Sequence, residues 1–319
     1  MSICAVLINF RTPELTLRSI EALVPELASL PGARALVVDN DSGDGSFERL
    51  RDAVRERGFE DRVEIVASGR NGGFAFGVNV GARSALAATP RPSALYLLNS
   101  DAFPAPGSLR ALVEYQAAHP EAAIVGSYIH GTDGTPHGTA FRFPTWQGEF
   151  FGNLRLGILR YWGERYRVAL DIPTVPTRVD WLAGASMLIR LDVFERIGLF
   201  DDGFFLYFEE TDFCRRAADA GFETWYVPES RVAHVGSAST GFQDASRPRA
   251  RYWFESRQRY LRKHFGAGYQ RLADLGWIAS FLVWRLRRRV RGLPDQDPPR
   301  LLRDFVRHAA STFWAPAGN

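Results

Sequence analysis

The chain has 319 residues, 46% of them hydrophobic and 24% charged, enough for one large α/β domain with an appendage or two modest domains and too apolar for extended disorder. Cys4 and Cys214, its two cysteines, sit in apolar surroundings and read as buried thiols of a reducing compartment rather than a disulfide or metal pair, and no signal-like start suggests secretion. The net charge of +3 conceals an asymmetry, because residues 1–246 carry −8 and residues 247–319 carry +11, so the basic C-terminal quarter faces something anionic or is solvated.

Four short apolar runs open the chain: Cys4 to Ile8, Ala35 to Val38 and Val63 to Val66, each with β-branched members, and Ala94 to Leu98. Between them lie segments of helical spacing, the first following Thr12-Pro13, a pair that suits a helix start. This alternation predicts an α/β fold with a mostly parallel sheet covered on both faces, and ligands in such sheets bind beyond the carboxyl ends of the strands. Hydrogen-bonding residues recur there: Asn9 and Arg11, then Asp39 to Ser42, then Arg70 to Gly73, then Asn99, Ser100 and Asp101. Any one of these groups is an ordinary turn; four at one edge point to a binding site.

Asn71-Gly72-Gly73 leads into a helix that contains Asn79, and its glycines let a backbone approach a nucleotide. It is neither the dinucleotide fingerprint nor a P-loop. Lys263 is the only lysine, so a phosphate must be met by arginine, a metal or backbone amides. Asp101 leaves a buried strand where it can hold a divalent cation, with His234 as a candidate second ligand. Residues 131–177 are rich in Gly, Pro and aromatic residues without periodicity and read as hairpins and a mobile loop. Trp181 to Ile189 restores order, its Ala183, Gly184 and Ala185 allowing close backbone approach, and a short helix from Leu191 to Ile197 follows.

Phe205 to Arg216 crowds Glu209, Glu210 and Asp212 beside aromatic residues and two arginines. Burial and mutual repulsion can hold one such carboxylate as a general base, although a surface helix can also carry the pattern. Arg247 to Phe265 reads as a helix. Gly276 to Trp284 then forms a Trp-bearing apolar run, too short to span a bilayer, beside the arginines of Arg285 to Arg291. This suits an interfacial helix on an anionic membrane surface, or else a helix packed on the main domain; no nucleic-acid motif accompanies the charge.

Taken in order, Asp39, Asn71-Gly72-Gly73 with Asn79, Asn99-Ser100-Asp101, Trp181 to Ala185, Gly198 to Asp201, Phe208 to Asp212 and His234 resemble the inverting family 2 glycosyltransferases, most closely the rhamnosyltransferase-like branch. The similarity covers about Ile3 to Phe265. It implies a GT-A fold over residues 1–246, with a nucleotide-binding half (1–130) and an acceptor-binding half (131–246), followed by a basic helical extension over 247–319. It also implies an enzyme that moves a sugar from a dTDP- or UDP-linked donor to a glycan or lipid-linked acceptor; the cysteines and the missing signal place it in the cytoplasm, and the basic tail, if it binds lipid rather than packing on the main domain, makes it peripheral at the inner face of the membrane. L-rhamnose on dTDP is the expected donor, with UDP-hexose, UDP-galactofuranose and GDP-sugars as alternatives; a nucleotidyltransferase and a non-catalytic nucleotide-sugar-binding protein are the readings from other classes.

By the same resemblance, Asn9, Arg11, Asp39, Asn71, Gly72, Gly73, Asn79, Asn99, Ser100 and Arg257 face the nucleotide. Asp101 and His234 hold Mg2+ or Mn2+, and Trp181, Ala183, Gly184 and Glu209 face the sugars. Glu210 is the base, with Asp212 and Glu209 as alternatives. Two departures from the family pattern stand out: Asp101 is the only carboxylate of its motif, and Glu210 replaces the shorter aspartate usual in Glu-Asp-x-Asp.

Overall fold

The computed structural model describes residues 2–156, 163–236 and 246–313. These form two compact units, one of Met1–Phe141 and Leu170–Thr240, the other of Arg142–Ala169 and Gly241–Asn319.

The first unit is built on a twisted sheet. Strands β1 (Ile3–Asn9), β2 (Arg34–Asp39), β3 (Val63–Ala67) and β4 (Ala94–Leu98) pair in parallel in the order β3-β2-β1-β4, where the apolar runs predict them. Helices α1 (Pro13–Ala28), α2 (Ser46–Glu56) and α3 (Gly73–Ala87) connect them. The second half adds β5 (Ala102–Pro104), α4 (Ser108–Ala118) and β6 (Ala122–His130), then the short strands β7 (Pro136–His137) and β8 (Ala140–Phe141). After the excursion into the second unit come β9 (Thr177–Val179), β10 (Trp181–Leu182) and β11 (Ser186–Arg190), with the expected helix at Leu191–Ile197.

Beyond β4 the sheet continues through β11 and β6 to β12 (Glu223–His234) and β5. Because β11 runs antiparallel to β4, with Ser186 opposite Leu98, the residues just before β11 lie beside those just after β4. That register brings Gly184 and Ala185 to the carboxyl end of β4. A buried chain of hydroxyls, Tyr96 to Ser186 at 2.9 Å, Ser186 to Ser127 at 2.6 Å and Ser127 to Ser230 at 2.7 Å, links β4, β11, β6 and β12 while satisfying its own polar atoms. Glu26 of α1 accepts hydrogen bonds from Gly107 and Leu109 at 2.7 and 2.9 Å, capping the start of α4. Cys4 and Cys214 are buried and unbridged, and burial pushes their thiols up to about 11 and about 12.

The second unit draws 142–169 away from the expected acceptor half and joins it to the C-terminal segment. Helix α5 (Trp146–Leu154) stands where hairpins and a loop were expected; Thr145 caps it by accepting from Gly148 N at 3.1 Å. Residues 251–291 are helical except at Gly266, whose φ of 84° interrupts the run. Trp277 stacks on Phe281 and Phe305 with ring centroids 4.8 and 4.0 Å apart, and Trp284 is buried in the same core. Among the described residues no helix is long and apolar enough to cross a membrane.

Candidate active site

Adjacent parallel strands place Asn9 opposite Asp39. Asn9 is fully buried and orients Asp39: its Nδ2 donates to Oδ1 at 2.7 Å, while its own Oδ1 accepts from Thr16 at 2.7 Å. Ser42 completes the cradle, donating to Asp39 from its backbone N–H at 3.1 Å and its hydroxyl at 2.6 Å. The Ser42 carbonyl and hydroxyl accept from Arg11 at 2.9 and 3.0 Å. Ser42 is thus the hub of this corner; in sequence it was one more polar residue after a strand. Asn40 donates to Asn71 Oδ1 at 3.2 Å and to the Gly73 carbonyl at 3.0 Å, so the second and third strand ends are fastened together.

Asn79 has a different position from the one expected. It lies buried in α3, its amide bracketing the backbone of Phe200 with bonds of 2.8 and 3.0 Å, so it fastens the loop that leads to the acidic cluster. Gly73 fastens the same loop. Its φ is 85°, a Cβ there would overlap the Phe205 carbonyl, and that carbonyl accepts from Phe74 N at 2.9 Å. Tyr207 and Phe208 both adopt φ of 68°, a conformation costly for aromatic residues. This strained turn delivers the chain into helix α7 (Glu209–Asp219), α6 being the Leu191–Ile197 helix.

The three carboxylates of the cluster occupy three different environments. Asp212 is 0% exposed and receives Arg216 Nε at 2.9 Å, while the rest of that guanidinium donates to the Ile197 and Leu199 carbonyls at 2.8 and 2.9 Å. It is a brace for the preceding turn. Glu209 is 2% exposed, and its Oε2 is buried with no hydrogen-bond partner in the protein. Burial, and then the charge of Glu210, push its carboxyl well above the ordinary glutamate range. Glu210 is half-buried, and its Oε1 accepts from Gly184 N at 3.0 Å. Burial raises its carboxyl too, while the backbone amides of Glu210 and Gly184 pull against that rise.

A second cluster lies at the same strand end. Asn99 N donates to the Ala185 carbonyl at 3.1 Å, next to the Gly184 that holds Glu210. The Asn99 side chain stands 3.3 Å from His234 Nε2, and His234 Nε2 stands 3.0 Å from Asp101 Oδ1. Both side chains of that pair are partly exposed, His234 ending β12 opposite Ala102. The two side chains stand close enough to be candidate ligands of one divalent cation, which prefers oxygen donors. Among the described residues no group of three or more His, Cys, Asp or Glu could hold a metal. Trp181 stacks on Phe141 at 4.2 Å, and Ala183 N donates to the Thr139 carbonyl at 3.2 Å. Gly72 caps α3, and Ser100 is half-buried beside Asp101.

Arg257 departs from expectation. It belongs to the second unit and is 2% exposed, donating to both oxygens of Glu149 at 2.7 and 2.5 Å and to Asp274 at 2.6 Å. Burial alone would lower its affinity for the proton; the two carboxylates more than offset this. The guanidinium is an internal ion triad, which gives the expected phosphate contact no support.

The family profile described as Glycosyl transferase family 2 matches residues 4–197. The N-acetylglucosaminyl-diphospho-decaprenol L-rhamnosyltransferase of Mycobacterium tuberculosis is 28% identical over 274 residues, 82% of this chain and 82% of that protein. Among solved structures, GalNAc-T7 with UDP, GalNAc and Mn2+ superposes with a TM-score of 0.59 at 15% identity, over 97% of this chain and 54% of that one. The mannosyltransferase PcManGT from Pyrobaculum calidifontis, in complex with GDP-Man and Mn2+, gives 0.58 at 14% identity, over 99% of this chain and 81% of that one. At such identities the two structures speak for the fold.

Proposed function

The chain belongs to glycosyl transferase family 2 and has the GT-A fold, and from that premise we propose that it moves L-rhamnose from dTDP-rhamnose to a hydroxyl of a lipid-linked glycan, inverting the anomeric centre, in cell-surface polysaccharide synthesis. The mycobacterial relative is an L-rhamnosyltransferase acting on a diphospho-decaprenol-linked sugar, which supports the choice of transferred sugar and of a lipid-linked acceptor. One observation carries the reading of the site: Glu210 Oε1 is tied to Gly184 and Asn99 to the adjoining Ala185, so a half-buried carboxylate shares one strand end with the Asp101–His234 pair.

In this mechanism the acceptor hydroxyl gives its proton to Glu210 as its oxygen attacks the anomeric carbon. The bond from that carbon to the diphosphate oxygen breaks on the opposite face, and nucleoside diphosphate leaves. Asp39, held by Asn9 and Ser42, positions the nucleoside, and Asn71 with Gly72 and Gly73 lines its pocket. Asp101 and His234 would hold Mg2+ or Mn2+, which when bound offsets the charge of the departing diphosphate. Burial, and then the charge of Glu210, raise the Glu209 carboxyl well above the ordinary range, which disfavours a second negative charge beside the base.

A panel of nucleotide sugars assayed with Mg2+ or Mn2+ tests the proposal. Release of dTDP in step with transfer from dTDP-rhamnose is expected. Pyrophosphate release would instead indicate nucleotidyl transfer, and donor binding without turnover would indicate a binding protein.

A further inference from the structure

Helix α8 (Arg251–Arg291), which α9 (Leu301–Thr312) follows, carries two apolar faces. One, with Trp277, Phe281 and Trp284, is buried in the core of the second unit. The tryptophans that suggested an interfacial helix in the sequence are therefore not its outer surface. The other face is exposed: Leu272, Leu275, Leu282, Val283, Leu286 and Val290 are 47% to 78% accessible. At 3.6 residues per turn they fall within an arc of roughly 100° and run for roughly 27 Å along the axis.

The borders of this ridge are basic on both sides. Arg271, Arg285 and Arg289 follow one edge and Arg287 and Arg291 the other, Arg289 and Arg291 being exposed. Arg271 and Arg287 donate to the neutral backbone carbonyls of Phe313 and Arg155, contacts that leave their charge uncompensated. Between Phe265 and Gly292 the one carboxylate is Asp274, which is buried against Arg257. A second copy laid along this ridge would set arginine against arginine.

We propose that the Leu272 to Val290 face of α8 lies in the surface of an anionic lipid bilayer, its leucines at the acyl boundary and its flanking arginines among the headgroup phosphates. The proposal rests on the helix itself and does not depend on the chemistry assigned to Glu210.

Sedimentation of the full chain with phosphatidylcholine vesicles, with and without phosphatidylglycerol, tests it. The wild-type chain should pellet with the anionic vesicles and much less with the neutral ones. The double variant Leu282→Glu, Leu286→Glu and the double variant Arg289→Glu, Arg291→Glu should each bind at least about tenfold more weakly, with unchanged circular dichroism and melting. Wild-type chain left in the supernatant, or full binding by either folded variant, would overturn the proposal. So would a wild-type dimer that the leucine variant dissociates without lipid, because the face would then join two copies. Release of nucleoside diphosphate is measured without vesicles, so the two proposals can fail separately.

Discussion

Gly184 donates its backbone N–H to Glu210 Oε1 at 3.0 Å, and a Cβ built on Gly184 would lie 2.6 Å from that oxygen and 2.9 Å from Glu210 Cγ. A strand-end glycine therefore sets where the carboxylate of α7 rests. Gly184→Ala should displace that carboxylate and lower kcat by about 100-fold, the scale expected when a catalytic group moves by about 1 Å, with donor KM little changed. Steady-state kinetics at saturating acceptor give the readout. An unchanged kcat would show that the contact does not position the reacting group.

Glu209 gives a prediction of opposite character, on stability. Its folded-state pKa is raised above the ordinary value of 4.5 by burial and then by Glu210, so the folded chain holds a proton that the unfolded chain releases. The stabilisation is present below pH 4.5 and is lost as pH rises towards the raised value. Glu209→Gln keeps the shape without the titration. The melting temperature of the variant minus that of the wild type should thus grow as pH rises above 4.5, and a difference that stays flat would contradict a Glu209 carboxyl raised by burial.

Arg257→Met separates a structural ion triad from a phosphate contact. Removing the guanidinium leaves Glu149 and Asp274 facing each other in a buried site, a loss of about 3–5 kcal/mol, visible in a urea melt. Donor affinity of the folded variant should stay close to that of the wild type. Undiminished stability with weakened donor binding would return Arg257 to the nucleotide.

The first four strands were legible in the sequence because they are short and apolar and because each ends in residues that favour turns; the strands beyond β4, whose antiparallel pairs make the sheet mixed rather than mostly parallel, were not. The pairing of Asp212 with Arg216 was equally open to reading, being an i, i+4 contact on one helix. What separates Glu209 from Glu210 was not. It depends on Gly184, 26 residues earlier, and on which side of the helix turns inward after the strained Tyr207–Phe208 turn. Helix α5 was missed because its order comes from packing within the second unit; Glu149 meets Arg257 across 108 residues. The same separation disguised Arg257, whose buried carboxylates lie outside any local motif. On α8, apolar residues alternate between two faces, so composition alone could not tell which of Trp284 and Leu286 is exposed.

The role of Glu210 is tested most directly by Glu210→Gln, comparing donor binding by calorimetry with rhamnosyl transfer to acceptor. Donor affinity should remain within a factor of about two while transfer falls by about 10³-fold, the scale of a lost general base. Transfer within tenfold of the wild type would contradict the assignment and move the base to another group.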